Sequence, residues 1–280
     1  GCAPGSKSSS SEPPVYSPLR VLVPEAPGSD TLGSSPLTLD VSNITQGYFV
    51  AQSDSADLVT SLQITAPTGV LYAYFIDPGE NAVIPFTEGN GDYTVVGYQQ
   101  IQGDQYAALY SEILTVELEN DFFPFLYPNQ YVNFSPDSEA SKLALSMVSE
   151  DTTDVDALKQ IYNYVVNNLT YDYDKAETVE TGYLPDVDET LSTKTGICFD
   201  YAALTTAMLR SCDIPCKLQI GYTGDIKHAW IDVYIRSKGW VTGAVSFNGD
   251  SWSLMDPTFD SSADSDDTEA IQDYIGNADN

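Results

Sequence analysis

From Leu37 to Leu118 the apolar residues come in short alternating or continuous runs: Leu37–Val41, Tyr48–Ala51, Val59–Ile64, Val70–Ile76, Tyr93–Tyr98 and Ile113–Leu118. None of them carries a helical period. Turn signals separate them, at Pro67-Thr68-Gly69, Asp77-Pro78-Gly79 and Gly89-Asn90-Gly91-Asp92. Short strands at such close spacing predict a small antiparallel β-sandwich over residues 37–120. The residues before it, 1–36, are dominated by Ser, Pro and Gly. Such a segment has too little apolar surface to offset the entropy of ordering, so it is expected to be a disordered tether.

After residue 120 the period changes, and 121–280 reads as a second domain. An aromatic connector, Phe122, Phe123, Phe125, Leu126 and Tyr127, is expected to pack between the two. Ser135-Pro136, with Asp137 and Glu139 following, predicts a helix start and a helix to about Val148. Thr153 opens a second helix over 153–169, whose Val155, Leu158, Ile161, Val165 and Leu169 share one face. The polar, Gly/Pro-interrupted stretch from Tyr171 to Thr193 reads as a loop beside a functional site. Near the end, Asp260–Glu269 reads as a solvated acidic linker and 268–275 as a short closing helix.

Charge narrows the function. The chain carries 41 acids against 11 bases, a net −30, and no basic residue occurs between Arg20 and Lys142. Phosphate binders present Lys and Arg, so a nucleic-acid partner and electrostatic attraction to anionic lipid are both excluded as expectations. No apolar run reaches the length needed to span a bilayer. The sandwich segment contains no Cys, His or basic residue, which suits binding, spacing or covering a cleft rather than chemistry.

Chemistry concentrates in three places. In Thr195-Gly196-Ile197-Cys198-Phe199-Asp200-Tyr201-Ala202 a glycine turn leads into helical spacing, placing Cys198 at a helix N-terminus. There the open N–H groups favour a thiolate and can hold an oxyanion. The single histidine, His228, begins an alternating strand, His228-Ala229-Trp230-Ile231-Asp232-Val233-Tyr234-Ile235, where a general base would stand. Asp256, before Pro257, ends a further short strand from Trp252 and can present a carboxylate to the second imidazole nitrogen. Asp200 reads as a first-turn acid or buried acceptor. Cys212 and Cys216 read either as a disulfide or as two buried thiols. No His/Cys spacing suits zinc and no phosphate loop is present.

These motifs resemble the transglutaminase-like superfamily of papain-related cysteine enzymes. The similarity covers about residues 130–260, through Thr195–Ala202, Ile214-Pro215 to Gly221-Tyr222, His228-Ala229-Trp230 and Asp256-Pro257-Thr258. It implies an α+β fold in which a helix carrying Cys packs on an antiparallel sheet carrying His and Asp, and a Cys198–His228–Asp256 triad without cofactor. Tyr171 and Tyr173 sit where related enzymes place a group near the oxyanion. The chain's start, Gly1-Cys2 followed by the tether, resembles a bacterial lipoprotein with lipid on Cys2. That lipid is the only membrane contact expected, on the extracellular face of a bacterial membrane, secretion being the alternative. The expected activity is hydrolysis of peptide or amide bonds in a peptide or protein substrate, basic or cell-wall peptides among the candidates. The alternatives are amine transfer, or a surface binding or adhesion protein with a vestigial triad.

Overall fold

The computed structural model describes residues 21–223 and 226–255. Eight strands come first: β1 (Thr31–Ser34), β2 (Leu37–Asp40), β3 (Tyr48–Ser53), β4 (Thr60–Thr65), β5 (Leu71–Ile76), β6 (Asn81–Pro85), β7 (Gly91–Gln102) and β8 (Gln105–Val116). They form two antiparallel sheets, ordered β1-β2-β3-β6 and β5-β4-β7-β8. Leu39, Phe49 and Ile84 of the first sheet and Leu62, Val95 and Leu114 of the second bury together in one core. Phe86, just after β6, bridges the layers, 5.5 Å from Phe49 and 4.8 Å from Tyr93. Side chains of this size each contribute about 1.5–3 kcal/mol when fully buried, so the alternating pattern closes as a sandwich.

The tether expectation extends too far. Residues 31–34 pair with β2, and before them the Gly28 amide donates to Asp40 (2.7 Å) and the Asp30 amide to the Ser42 hydroxyl (3.0 Å). Composition hides this because the segment takes its hydrogen bonds from a sheet edge rather than from a core of its own.

The connector packs as expected. The Phe122 ring lies 4.5 Å from Tyr234, and Phe125 meets Trp240 edge-on at 5.4 Å. Lys217 Nζ caps the rings of Trp240 (4.3 Å) and Phe125 (4.8 Å). Tyr131 touches both halves, 5.4 Å from Tyr74 and 6.1 Å from Phe199.

The second half contains α1 (Glu139–Ser146), α2 (Asp154–Asn168), β9 (Thr170–Tyr171), α3 (Tyr173–Thr178), α4 (Val187–Thr193), β10 (Thr195–Gly196) and α5 (Cys198–Ser211). A meander follows: β11 (Cys216–Thr223), β12 (Ile226–Ile235), β13 (Gly239–Asn248) and β14 (Ser251–Leu254). The whole is α+β. The second helix falls where its pattern predicts, with the Thr153 hydroxyl accepting from the Asp156 amide at 3.2 Å. Two expectations need correction. The first helix begins later than Ser135-Pro136, which instead form a turn in which Ser135 donates its amide to Ser138 Oγ (2.9 Å). Its free N–H groups are covered from α4, where Asp188 accepts from Glu139 and Ala140. The expected loop at 171–193 contains α3 and α4, capped by Asp172 and Asp186. Among the described residues no helix is long and apolar enough to cross a bilayer.

Every residue of α5 is buried, packed between α1, α2 and α4 on one side and the sheet on the other. Arg210, in its last turn, donates to the carbonyls of Tyr127 (3.0 Å) and Cys216 (2.7 Å). The helix end, the connector and the first strand of the sheet are thereby joined.

Candidate active site

The start of α5 is held by a short chain of local constraints. Lys194 ends α4 in the left-handed conformation, φ 55°, and turns the chain into β10. That strand pairs in parallel with β9, setting Gly196 opposite Tyr171. Ile197 is extended and Cys198 is the first helical residue. Asp200, fully buried, accepts from the Ile197 amide at 2.9 Å and from the Tyr183 hydroxyl, and pairs with Lys175 at 2.9 Å. Glycine is required at 196, since a Cβ there would lie 2.6 Å from Asp200 Cβ. Asp200 is thus the buried acceptor that fixes the helix start.

Cys198 is 1% exposed. Tyr171 stands beside it: burial first, then the neighbouring Cys198 and Asp250, push the Tyr171 hydroxyl above its ordinary value. A raised tyrosine stays protonated and can donate a hydrogen bond. The two oxyanion candidates therefore differ in setting. Tyr173 is 60% exposed and its hydroxyl donates to Asp250.

His228 lies on β12, which begins at Ile226, so it is the third residue of its strand rather than the first. It faces Gly221 of β11 and Asn248 of β13. A fourteen-residue helix is about 21 Å long. The strand returning from its far end covers about 17 Å between Cys216 and Gly221. His228 therefore returns to roughly the level of the first turn of α5. Ala229, Ile231 and Val233 are buried in the core shared with the helix, and Trp230 beside His228 is buried as well. The His228 and Trp230 rings lie nearly parallel, 5.7 Å apart. Burial lowers the His228 pKa from its ordinary 6.5, which keeps the imidazole neutral near pH 7.

Asp256 lies outside the described residues, as do Cys2, the first twenty residues and the acidic segment after Pro257. The strand leading to Asp256, β14, pairs with β13 and not with β12. Ser251 is level with His228 through Asn248, and β14 then runs in the same direction as β12. Asp232, on the same face as His228, is occupied structurally: it accepts from Gln219 Nε2 and the Gly243 amide, both at 2.8 Å, where the β12/β13 register shifts. Cys212 and Cys216 are buried and are not bonded to one another, and burial pushes the Cys216 thiol well up.

Sequence reasoning missed a cluster that the sheet order brings to this end. Trp252 stacks on Tyr201 at 4.1 Å and reaches Tyr171 at 6.0 Å, while Asp250 sits in the β13–β14 turn against Tyr173. A surface depression lined by Asn133, Ser138, Asp186 and Asp188 involves none of the candidate residues.

Residues 141–243 match the Transglutaminase-like superfamily. Over 183 residues the chain is 24% identical to the uncharacterized protein YebA of Bacillus subtilis, covering 57% of this chain and 25% of that one. Over 62 residues it is 40% identical to the UPF0252 protein MJ1282 of Methanocaldococcus jannaschii, covering 20% and 18%. The matched stretches thus span a quarter or less of these relatives. A crystal structure of a proposed cysteine protease from Cytophaga hutchinsonii superposes with a TM-score of 0.37 at 19% identity, covering 72% of this chain and 74% of that one. The segment that matches the superfamily contains both Cys198 and His228.

Proposed function

We propose that the chain is a cysteine acyl-transfer enzyme that hydrolyses peptide or amide bonds. Cys198 Sγ adds to the carbonyl carbon as His228 takes the thiol proton. The tetrahedral oxyanion is held at the N-terminus of α5, the positive end of its dipole, and by the Tyr171 hydroxyl. His228 then returns the proton to the leaving nitrogen as the C–N bond breaks, and water cleaves the thioester by the reverse sequence. Asp256 is assigned the orienting role on sequence grounds.

The observation that carries this reading is the placement of Cys198 as the first residue of α5, two residues after Gly196, which pairs with Tyr171. Export and lipid attachment at Cys2 belong to the same proposal. A second reading, a surface binding protein with a vestigial triad, is favoured by one observation, the near-complete burial of Cys198.

The test is product analysis by mass spectrometry after incubating the protein with a glutamine-containing peptide library and a labelled primary amine. Hydrolysed peptide that disappears in the Cys198→Ala variant is expected. Predominant amine conjugation would make the chain a transferase, and no product of either kind would favour the binding protein.

A further inference from the structure

The outer face of the β5-β4-β7-β8 sheet belongs neither to the sandwich core nor to the candidate active site. On the edge strand β5, Leu71, Ala73 and Phe75 begin three rows that register continues across β4, β7 and β8. No residue in those rows is charged, in a chain whose residues are 19% charged and whose net charge is −30. Charge begins only in the next row, where Asp92 accepts from Thr115 at 2.7 Å. Leu71 is 66% exposed, Ile113 63% and Phe75 42%. Solvent-facing and edge strands ordinarily carry Lys or Glu, which block pairing with other chains. A face that omits them and exposes apolar side chains marks a binding surface.

The chemistry of the face narrows its occupant. Phe75 and Tyr106 come from opposite edge strands, yet their rings lie 6.2 Å apart, reaching toward one another across the sheet. Between those edges the Tyr98 hydroxyl donates to Gln63 Oε1 at 3.3 Å. The face therefore offers flat rings beside amides and hydroxyls, without charge. We propose that it binds an uncharged carbohydrate chain. A pyranose stacks its C–H face on an aromatic ring and turns its hydroxyls to amide and hydroxyl partners, and it needs no counter-charge. Charge complementarity disfavours the other occupants. A second copy would bring another −30 into contact. A cationic peptide would find its partners on the acidic surface elsewhere.

The proposal is independent of the catalytic reading, and it is tested on the full chain. Depletion from solution by insoluble cellulose, chitin, curdlan and mannan is measured for the wild type and for Phe75→Ala and Tyr98→Ala, with thermal melts as the check on folding. Retention on at least one polysaccharide is expected, weakened about tenfold or more by each substitution at unchanged melting temperature. Cys198→Ser should be retained like the wild type, which separates this face from substrate binding at the thiol. Leu71→Ser, at the other end of the face, provides a second exposed-site variant should either aromatic change disturb folding. No retention on any of the four polysaccharides would overturn the proposal, as would retention indifferent to Phe75→Ala and Tyr98→Ala together. Sedimentation showing a dimer that Phe75→Ala dissolves would also overturn it, by assigning the face to a second copy.

Discussion

Replacing Asp200 by alanine should destabilise the second domain by about 2–5 kcal/mol, and the structure says where that figure arises. The carboxylate is fully buried and meets three donors: the Ile197 amide, the Tyr183 hydroxyl and Lys175 Nζ. Breaking a buried ion pair from one side costs about 3–5 kcal/mol when both ions are enclosed. Lys175 is 32% exposed and can rehydrate, so its share falls to roughly 1–2 kcal/mol. The Ile197 amide at the buried helix start has no such recourse, and its loss of a partner costs about 1–3 kcal/mol. The assay is urea unfolding of Asp200→Ala, Lys175→Met and the double variant at constant salt. The double variant should be more stable than the sum of the single losses predicts, with a coupling of about 1 kcal/mol or more. Strict additivity, or a loss under 1 kcal/mol for Asp200→Ala, would refute the view that this carboxylate pins the nucleophile's helix.

Three further outcomes follow from the same geometry. Because burial holds the folded His228 pKa below 6.5, the unfolded chain binds more protons just below that pH. Stability should therefore fall as pH drops through 6.5 and level off below the folded pKa, and urea midpoints of wild type and His228→Gln across pH 5–8 should show that dependence only with the histidine present. If Asp256 orients the imidazole, Asp256→Ala should lower kcat by orders of magnitude while Asn248→Ala, directly across the ladder from His228, changes it little; the reverse ranking would move the orienting role to Asn248. Iodoacetamide at mildly acidic pH should modify Cys198 before Cys212 or Cys216, as peptide mapping would show, and uniform slow labelling would count against an activated thiol.

What could be read from the chain in advance was largely what neighbouring residues decide. The apolar face of α2 with its Thr153 cap, the glycine turn into α5, and most strands of the sandwich are local patterns. The same local signals held the caps of α3 and α4, Asp172 and Asp186, but short helices inside a polar stretch bury too little to show an apolar period. The start of α1 was misplaced because its N–H groups are covered by Asp188, about fifty positions away. β1 escaped notice because an edge strand of four residues, with Leu32 as its one apolar side chain, is too short to show alternation and gains its hydrogen bonds from β2. At the site, Cys198, His228 and Tyr171 were legible as residues. The proximity of Asp250, Trp252 and Tyr201 was not, because it depends on β14 folding back on β13.

The most direct test of the central claim is covalent capture of the acyl-enzyme. An acyl-donor thiol probe incubated with the full chain should add one acyl mass to the peptide containing Cys198, and hydroxylamine should release it. Cys198→Ser should leave that adduct absent, and His228→Ala should slow it by at least a hundredfold. An adduct that forms equally fast without His228, or maps to Cys212 or Cys216, would contradict the account.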